Sequence, residues 1–117
     1  MRILNFGSLN LDFVYQVAHF VRPGETLSSE ELSTFPGGKG LNQSVALSRA
    51  GAEVFHAGCV GEDGGLLLDT LREAGVSCRY VRQLAGARTG HAVIQVDQSG
   101  QNCILLFGGS NQMVREE

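Results

Sequence analysis

The segment that decides the fold is Pro36-Gly37-Gly38-Lys39-Gly40-Leu41-Asn42-Gln43-Ser44, which lies between a strand-like and a helix-like segment. Glycine at such positions can adopt positive φ angles and lets the backbone approach a ligand closely. The N-terminus of the following helix would direct free N–H groups at that ligand. The segment matches neither the GxxxxGK[ST] pattern of a P-loop nor GxGxxG. It therefore predicts a binding site for a small polyhydroxyl molecule rather than for a nucleotide.

Asn10 and Asp12 are the first candidate ligand-binding side chains. They follow the apolar run 2–7 and are two residues apart, so on an extended segment both point to the same side. A carboxylate accepts hydrogen bonds from hydroxyl groups, and an amide both donates and accepts. The alternative interpretation is an Asx turn at the end of a strand.

Gly38, Lys39 and Asn42 are the candidates in the glycine-rich segment. Lys39 is the only lysine of the chain. Asn42 follows Gly38 by four residues, about one helical turn, so both can face a ligand at the start of the helix. The alternative interpretation is an ordinary turn that binds no ligand.

These segments resemble the ribokinase-like (PfkB) carbohydrate kinases, and within that family they are most similar to the ribokinases. The family's signature of spaced glycine, asparagine and small residues is matched at every position. The matching residues are Gly37, Gly38, Gly40, Asn42, Ser44, Gly51 and Gly61. The segments 7–12, 23–26 and 109–111 match in the same order.

The resemblance implies an ATP-dependent transfer of a phosphoryl group to a sugar hydroxyl, with ribose as the first candidate substrate. The residues to which it assigns sugar binding are Asn10, Asp12, Gly38, Lys39 and Asn42. It implies ATP and Mg²⁺ as cofactors, together with a monovalent cation, all bound outside this chain. The family's catalytic aspartate lies in a Gly-x-Gly-Asp motif, which this sequence lacks and which is expected beyond Glu117. The chain alone is therefore expected to be inactive.

Other functions remain open at this point. Nucleoside, fructose and 2-keto-3-deoxygluconate kinases share the glycine-rich segment. A non-catalytic module for sugar binding or dimerisation is the alternative of a different class. The chain is shorter than members of the family, and residues 112–117 look like the first turn of a helix with Asn111 as its N-cap. This ending indicates a truncation.

Composition excludes several classes of partner. The net charge of −3 argues against a nucleic-acid or anionic-membrane surface. No apolar run approaches the roughly 20 residues of a membrane span, and the first residues lack the features of a signal peptide. Cys59, Cys78 and Cys103 are widely spaced, which favours free thiols in the cytoplasm over disulfides or a metal site.

The hydrophobic pattern predicts an α/β fold with a Rossmann-like parallel sheet and flanking helices. The family resemblance implies that residues 1–117 form the N-terminal, substrate-binding part of a kinase domain. Apolar strands are predicted at 2–7, 53–60 and 78–82, and helices at 39–50 and 65–74.

Four further segments alternate between apolar and polar residues and predict a small antiparallel sheet. They are 12–20, 30–35, 91–96 and 102–107. In the family that the chain resembles, such a sheet acts as a lid over the sugar, and lids often pair between subunits. The resemblance therefore implies a homodimer formed through the lid.

Overall fold

The computed structural model describes residues 1–115, whose elements follow one another in the predicted order. In chain order these elements are β1 (Arg2–Phe6), β2 (Asn10–Gln16), β3 (Glu31–Gly37), α1 (Lys39–Arg49), β4 (Glu53–Val60), α2 (Gly65–Glu73), β5 (Ser77–Gln83), β6 (Gly90–Val96), β7 (Asn102–Phe107) and a 3₁₀ helix (Gly109–Met113).

One sheet is parallel, with the strand order β1-β4-β5, and the two α-helices pack against it. Leu67 and Leu71, one turn apart on α2, are fully buried in the shared core. Burial of each such leucine contributes about 1.5–3 kcal/mol. The core residues are Leu9, Leu11, Leu41, Val54, Val60, Leu67, Leu71 and Val76. Other apolar side chains of the same sheet, Leu4, Phe6 and Tyr80, are exposed.

The second sheet has the order β3-β2-β6-β7, and we call it the lid sheet. The prediction of a second, small sheet beside the parallel one is confirmed. Its two outer pairs are antiparallel, as predicted, but the central pair, β2 and β6, is parallel. These two strands are separated in sequence by both helices and by strands of the other sheet, so no tight turn forces them to run in opposite directions.

The strand β2 is shorter than the predicted range of 12–20. Val17 still donates its N–H to Val96 O at 3.0 Å, but the chain then leaves the sheet. The imidazole of His19 lies 3.0 Å from the Glu25 carboxylate, which holds the chain in a turn before β3. This local side-chain contact lies just beyond the end of the strand, and the alternation of apolar residues does not encode it.

The predicted α-helix starting at Asn111 is not seen in the described residues. Residues Gly109–Met113 form a 3₁₀ helix, and Val114 is extended, with φ −70° and ψ 132°. The side chain of Asn111 bonds to residues of the β1–β2 connection instead of capping a helix. The acidic residues Glu116 and Glu117, which entered the helix prediction, lie outside the described residues.

Across residues 1–115, no helix is both long and apolar enough to cross a membrane.

Candidate functional site

The start of α1 lies directly against the connection between β1 and β2. Leu41 donates its N–H to Ser8 O at 3.1 Å. A Cβ at Gly40 would lie 2.5 Å from Ser8 N and 2.6 Å from Gly7 Cα, so only glycine fits there. Gly38 has a φ of 97°, a conformation that side chains rarely adopt. These two glycines bring the two predicted parts of the site into contact.

A buried polar network holds this contact in place. Asn5 Nδ2 donates to Gly40 O and to Ser44 Oγ, both at 2.9 Å. Ser44 Oγ lies 2.6 Å from His56 Nδ1, and His56 Nε2 lies 3.1 Å from Gly7 O. Because a carbonyl oxygen only accepts, Nε2 carries the proton, and Nδ1 accepts from the serine hydroxyl. The neutral imidazole therefore donates one hydrogen bond to Gly7 O and accepts one from the Ser44 hydroxyl.

We expect this network to make folding stability pH-dependent. Burial lowers the pKa of His56 below its ordinary value, because the charged form would lose hydration. As the pH falls below about 6.5, His56 binds a proton more readily in the unfolded chain than in the folded chain. The contribution of the neutral imidazole to folding stability is therefore present above this pH and decreases below it.

Urea denaturation at pH 7.5 and pH 5.5 measures the effect as a lower free energy of unfolding at pH 5.5. The His56→Gln variant should show a smaller difference between the two pH values. Gln43→Ala, an uncharged substitution on the exposed surface of α1, is the control and should keep the full difference. An unchanged pH difference in His56→Gln would exclude the buried imidazole as the cause.

Asn10 and Asp12 lie on β2 between two glycine-containing strands. Asn10 is opposite Gly37 of β3 and Gly90 of β6. A Cβ at Gly37 would lie 2.7 Å from Cγ of Asp12, so the carboxylate packs directly against the main chain of Gly37. Because Asn10 and Asp12 are two residues apart on β2, their side chains lie on the same face of this strand, as the sequence predicts.

The carboxylate of Asp12 has no hydrogen-bond or ion-pair partner among residues 1–115, and burial raises its pKa above the ordinary value. A partly buried carboxylate without a partner is unfavourable for folding, because it loses hydration and gains no hydrogen bond. It is, however, ready to accept hydrogen bonds from the hydroxyl groups of a ligand.

The predicted residues lie on β2 and at the start of α1. A Cβ at Gly38 would lie 3.1 Å from Asn10 N, and a Cβ at Gly37 would lie 2.7 Å from Cγ of Asp12, so the glycine-rich segment adjoins both residues of β2. Lys39 and Asn42 lie on the exposed first turn of α1. Their side chains form no hydrogen bond or ion pair within the described part of the chain.

Asn111 is the neighbour of the site that the sequence prediction did not place there. Its Nδ2 lies 2.7 Å from Asn10 Oδ1. The 3₁₀ helix that carries it is anchored by Ser110, whose hydroxyl donates to Cys59 O at 3.1 Å. The Gly109-Ser110-Asn111 match was a sequence signal for this position, but a helix N-cap explained it equally well.

The described residues contain no cluster of three or more His, Cys, Asp or Glu side chains that could hold a metal ion. The side chains of Asn10 and Asp12 supply an amide and a carboxylate to the site. Such groups bind and orient hydroxyl groups by hydrogen bonds.

Comparison with known proteins gives the family. The model of the pfkB family carbohydrate kinases matches residues 2–117. Ribokinase of Haemophilus influenzae is 38% identical over 112 residues, which cover 94% of this chain and 37% of that protein. The chain thus spans little more than a third of this relative's length.

Solved structures agree with this result. Ribokinase of Cryptococcus neoformans var. grubii, in complex with ADP, has a TM-score of 0.87 and 42% identity, covering 93% of this chain and 35% of that chain. Ribokinase of Arabidopsis thaliana, complexed with ribose and ATP, has a TM-score of 0.85 and 35% identity, covering 92% of this chain and 36% of that chain. The chain therefore belongs to the pfkB family of carbohydrate kinases.

Proposed function

We propose that this chain supplies the sugar-binding half of an ATP-dependent sugar kinase, with D-ribose as the first candidate acceptor. The observation that carries the proposal is the unpartnered carboxylate of Asp12 beside the Asn10 amide, over the bare backbone of Gly37. Gly38, Lys39 and Asn42 would complete the sugar contacts from the start of α1. Lys39 and Asn42 are exposed, so their side chains are free to turn toward a ligand.

The similar proteins support ribose over other acceptors. Relatives at 36–38% identity are ribokinases, and the Arabidopsis ribokinase structure contains ribose and ATP. Nucleoside, fructose and 2-keto-3-deoxygluconate kinases remain the alternatives. Calorimetric titration of the chain with D-ribose, D-fructose, adenosine and 2-keto-3-deoxygluconate separates them. The proposal expects D-ribose to bind most tightly, and tighter binding of another of these compounds would replace it.

ATP, Mg²⁺ and a monovalent cation belong to the proposed activity of the whole enzyme. The ADP and ATP complexes of the two similar ribokinases support the nucleotide. The residues described here provide no metal-holding cluster. We assign to this chain the binding and orientation of the acceptor hydroxyl, and assign its deprotonation to an aspartate that the chain does not contain.

We predict that the 117-residue chain has no measurable kinase activity. Phosphoryl transfer depends on positioning and on stabilisation of charge, and a Gly-x-Gly-Asp motif is absent from the sequence. An ADP-release assay with pentoses, hexoses and nucleosides tests this, with full-length ribokinase of Haemophilus influenzae as the positive control. Turnover that copurifies with the chain through two columns would contradict the prediction.

We further propose that the chain forms a homodimer through the lid sheet. The edge strand β7 exposes a run of apolar side chains, with Leu105 and Leu106 about 70% exposed. An exposed, apolar edge strand favours pairing with another chain. A cytoplasmic location is proposed as well, and three free cysteines support it.

Sedimentation velocity over a concentration series is expected to show a dimer at high micromolar concentration. Leu105→Lys should shift the equilibrium toward monomer, because a charge would be buried at the interface. Arg72→Glu, on the exposed surface of α2, is the control and should not. A wild-type monomer throughout the series, or equal effects of both variants, would contradict pairing through the lid.

A further inference from the structure

We propose that Asn111 fixes the direction of the Asn10 amide, so that Asn10 presents N–H donors to the ligand and the site selects a hydroxyl group. Asn111 would then be a positioning residue that determines specificity without touching the ligand. This inference rests on the proposed function only in taking the ligand to be a sugar. The direction of the amide is a property of the chain alone.

The direction of the Asn111 amide follows from a single backbone residue. The N–H of Leu9 can only donate, and it lies 2.9 Å from one end of the amide, which must be Oδ1. The carbonyl oxygen of Leu9 can only accept, and it lies 3.1 Å from the other end, which must be Nδ2. A reversed amide would place two donors together and two acceptors together, at a cost of about 1–3 kcal/mol for each unsatisfied group.

The direction of the Asn10 amide follows in turn. The end that lies 2.7 Å from Asn111 Nδ2 must accept, so it is Oδ1. The Nδ2 of Asn10 is therefore at the opposite end, and it has no partner among residues 1–115. The local backbone leaves room for this pair, since a Cβ at Gly90 would lie 2.7 Å from Asn10 Oδ1 and 2.7 Å from Gly108 O.

Asn10 and Asp12 thus offer opposite hydrogen-bonding roles on one face of β2. Asn10 presents donors, whereas an ionised carboxylate at Asp12 only accepts. A hydroxyl group satisfies both, because its oxygen accepts from the amide while its hydrogen is donated to the carboxylate. A deoxy position offers neither role, and an O-methyl group cannot donate. The pair therefore selects a free hydroxyl.

Two substitutions should replace the hydrogen-bond donor that residue 10 presents to the ligand by an acceptor. Asn111→Asp places an acceptor against Asn10 Oδ1, so the amide of Asn10 should turn over and present its oxygen to the ligand. Asn10→Asp keeps the hydrogen bond from Asn111 but presents a carboxylate oxygen, and it serves if the first variant folds poorly. Gln112→Ala, on the exposed surface of the same 3₁₀ helix, is the matched control, because it leaves the hydrogen bonds of Asn111 and of the Ser110 anchor in place.

Calorimetry with D-ribose, 2-deoxy-D-ribose and 3-deoxy-D-ribose measures the selection. The wild-type chain should prefer D-ribose to one of the deoxy sugars by about tenfold or more. Both reversing variants should lose most of this preference, and Gln112→Ala should keep it. Retention of the full preference by either reversing variant that folds would overturn the inference.

Hydrogen exchange of the side-chain amides, followed by NMR, decides the same point without a ligand. In the wild-type chain, the NH₂ group of Asn111 should be protected and that of Asn10 should exchange freely. In Asn111→Asp, the NH₂ group of Asn10 should become protected. Protection of Asn10 in the wild type would overturn the inference. If no sugar binds, the proposed function fails, and the exchange pattern still decides the direction of the amide.

Discussion

Replacement of Asp12 by asparagine is expected to weaken sugar binding by about tenfold or more, because one charged acceptor of hydroxyl hydrogen bonds is lost. The shape of the side chain is kept, so the lid sheet should not change. Asp69→Asn, the same chemical change on the exposed surface of α2, is the control and should leave the affinity unchanged. Isothermal titration calorimetry with D-ribose measures both variants.

Asp12→Asn should weaken sugar binding without lowering the folding stability of the chain. Burial raises the pKa of Asp12, so the folded chain binds more protons than the unfolded chain between the two pKa values. Stability is therefore lost as the pH rises through that interval, and the cost persists at neutral pH. Asp12→Asn removes this cost, and its free energy of unfolding at pH 7 should equal or exceed that of the wild type. A clear loss of stability would make Asp12 a structural residue.

Replacement of Gly40 by alanine is expected to destabilise the fold by about 2 kcal/mol or more. The added Cβ would lie 2.5 Å from Ser8 N and 2.6 Å from Gly7 Cα, and both are backbone atoms that cannot turn aside. The hydrogen bond from Asn5 to Gly40 O would be strained by the same movement. Urea denaturation monitored by circular dichroism measures the loss.

The matched control for this substitution is Gly65→Ala at the start of α2. A Cβ there meets no atom within 4 Å. Alanine should stabilise the helix by roughly 0.4–1 kcal/mol, because it has less conformational freedom to lose on folding. The same chemical change should thus have opposite signs at the two positions. A Gly40→Ala variant as stable as the wild type would contradict the close contact between α1 and the β1–β2 connection.

The element order could be predicted from the sequence because each element has a strong local pattern. The stripe of Leu67 and Leu71 defines α2, and the alternation at 91–96 and 102–107 defines the hairpin of β6 and β7. The parallel pairing of β2 with β6 could not be predicted, because it joins strands that are distant in sequence and have no turn between them.

The site could be predicted only as far as its local motifs reach. The predicted roles of Asn10, Asp12, Gly38, Lys39 and Asn42 in sugar binding stay predictions. The contributions of His56 and Asn111 come from hydrogen bonds across long sequence separations, which no local pattern indicates. From the sequence alone, several structural roles are possible for a single histidine in an apolar strand and for an asparagine before a helix-like segment.

The central claim, that this chain binds a sugar between β2 and the start of α1, is tested most directly by NMR titration of the ¹⁵N-labelled chain with D-ribose. The account predicts saturable shift changes that cluster at residues 7–12, 37–42 and 90, and that disappear in Asp12→Asn. Saturable shifts confined to other parts of the chain, or none up to millimolar sugar, would contradict it.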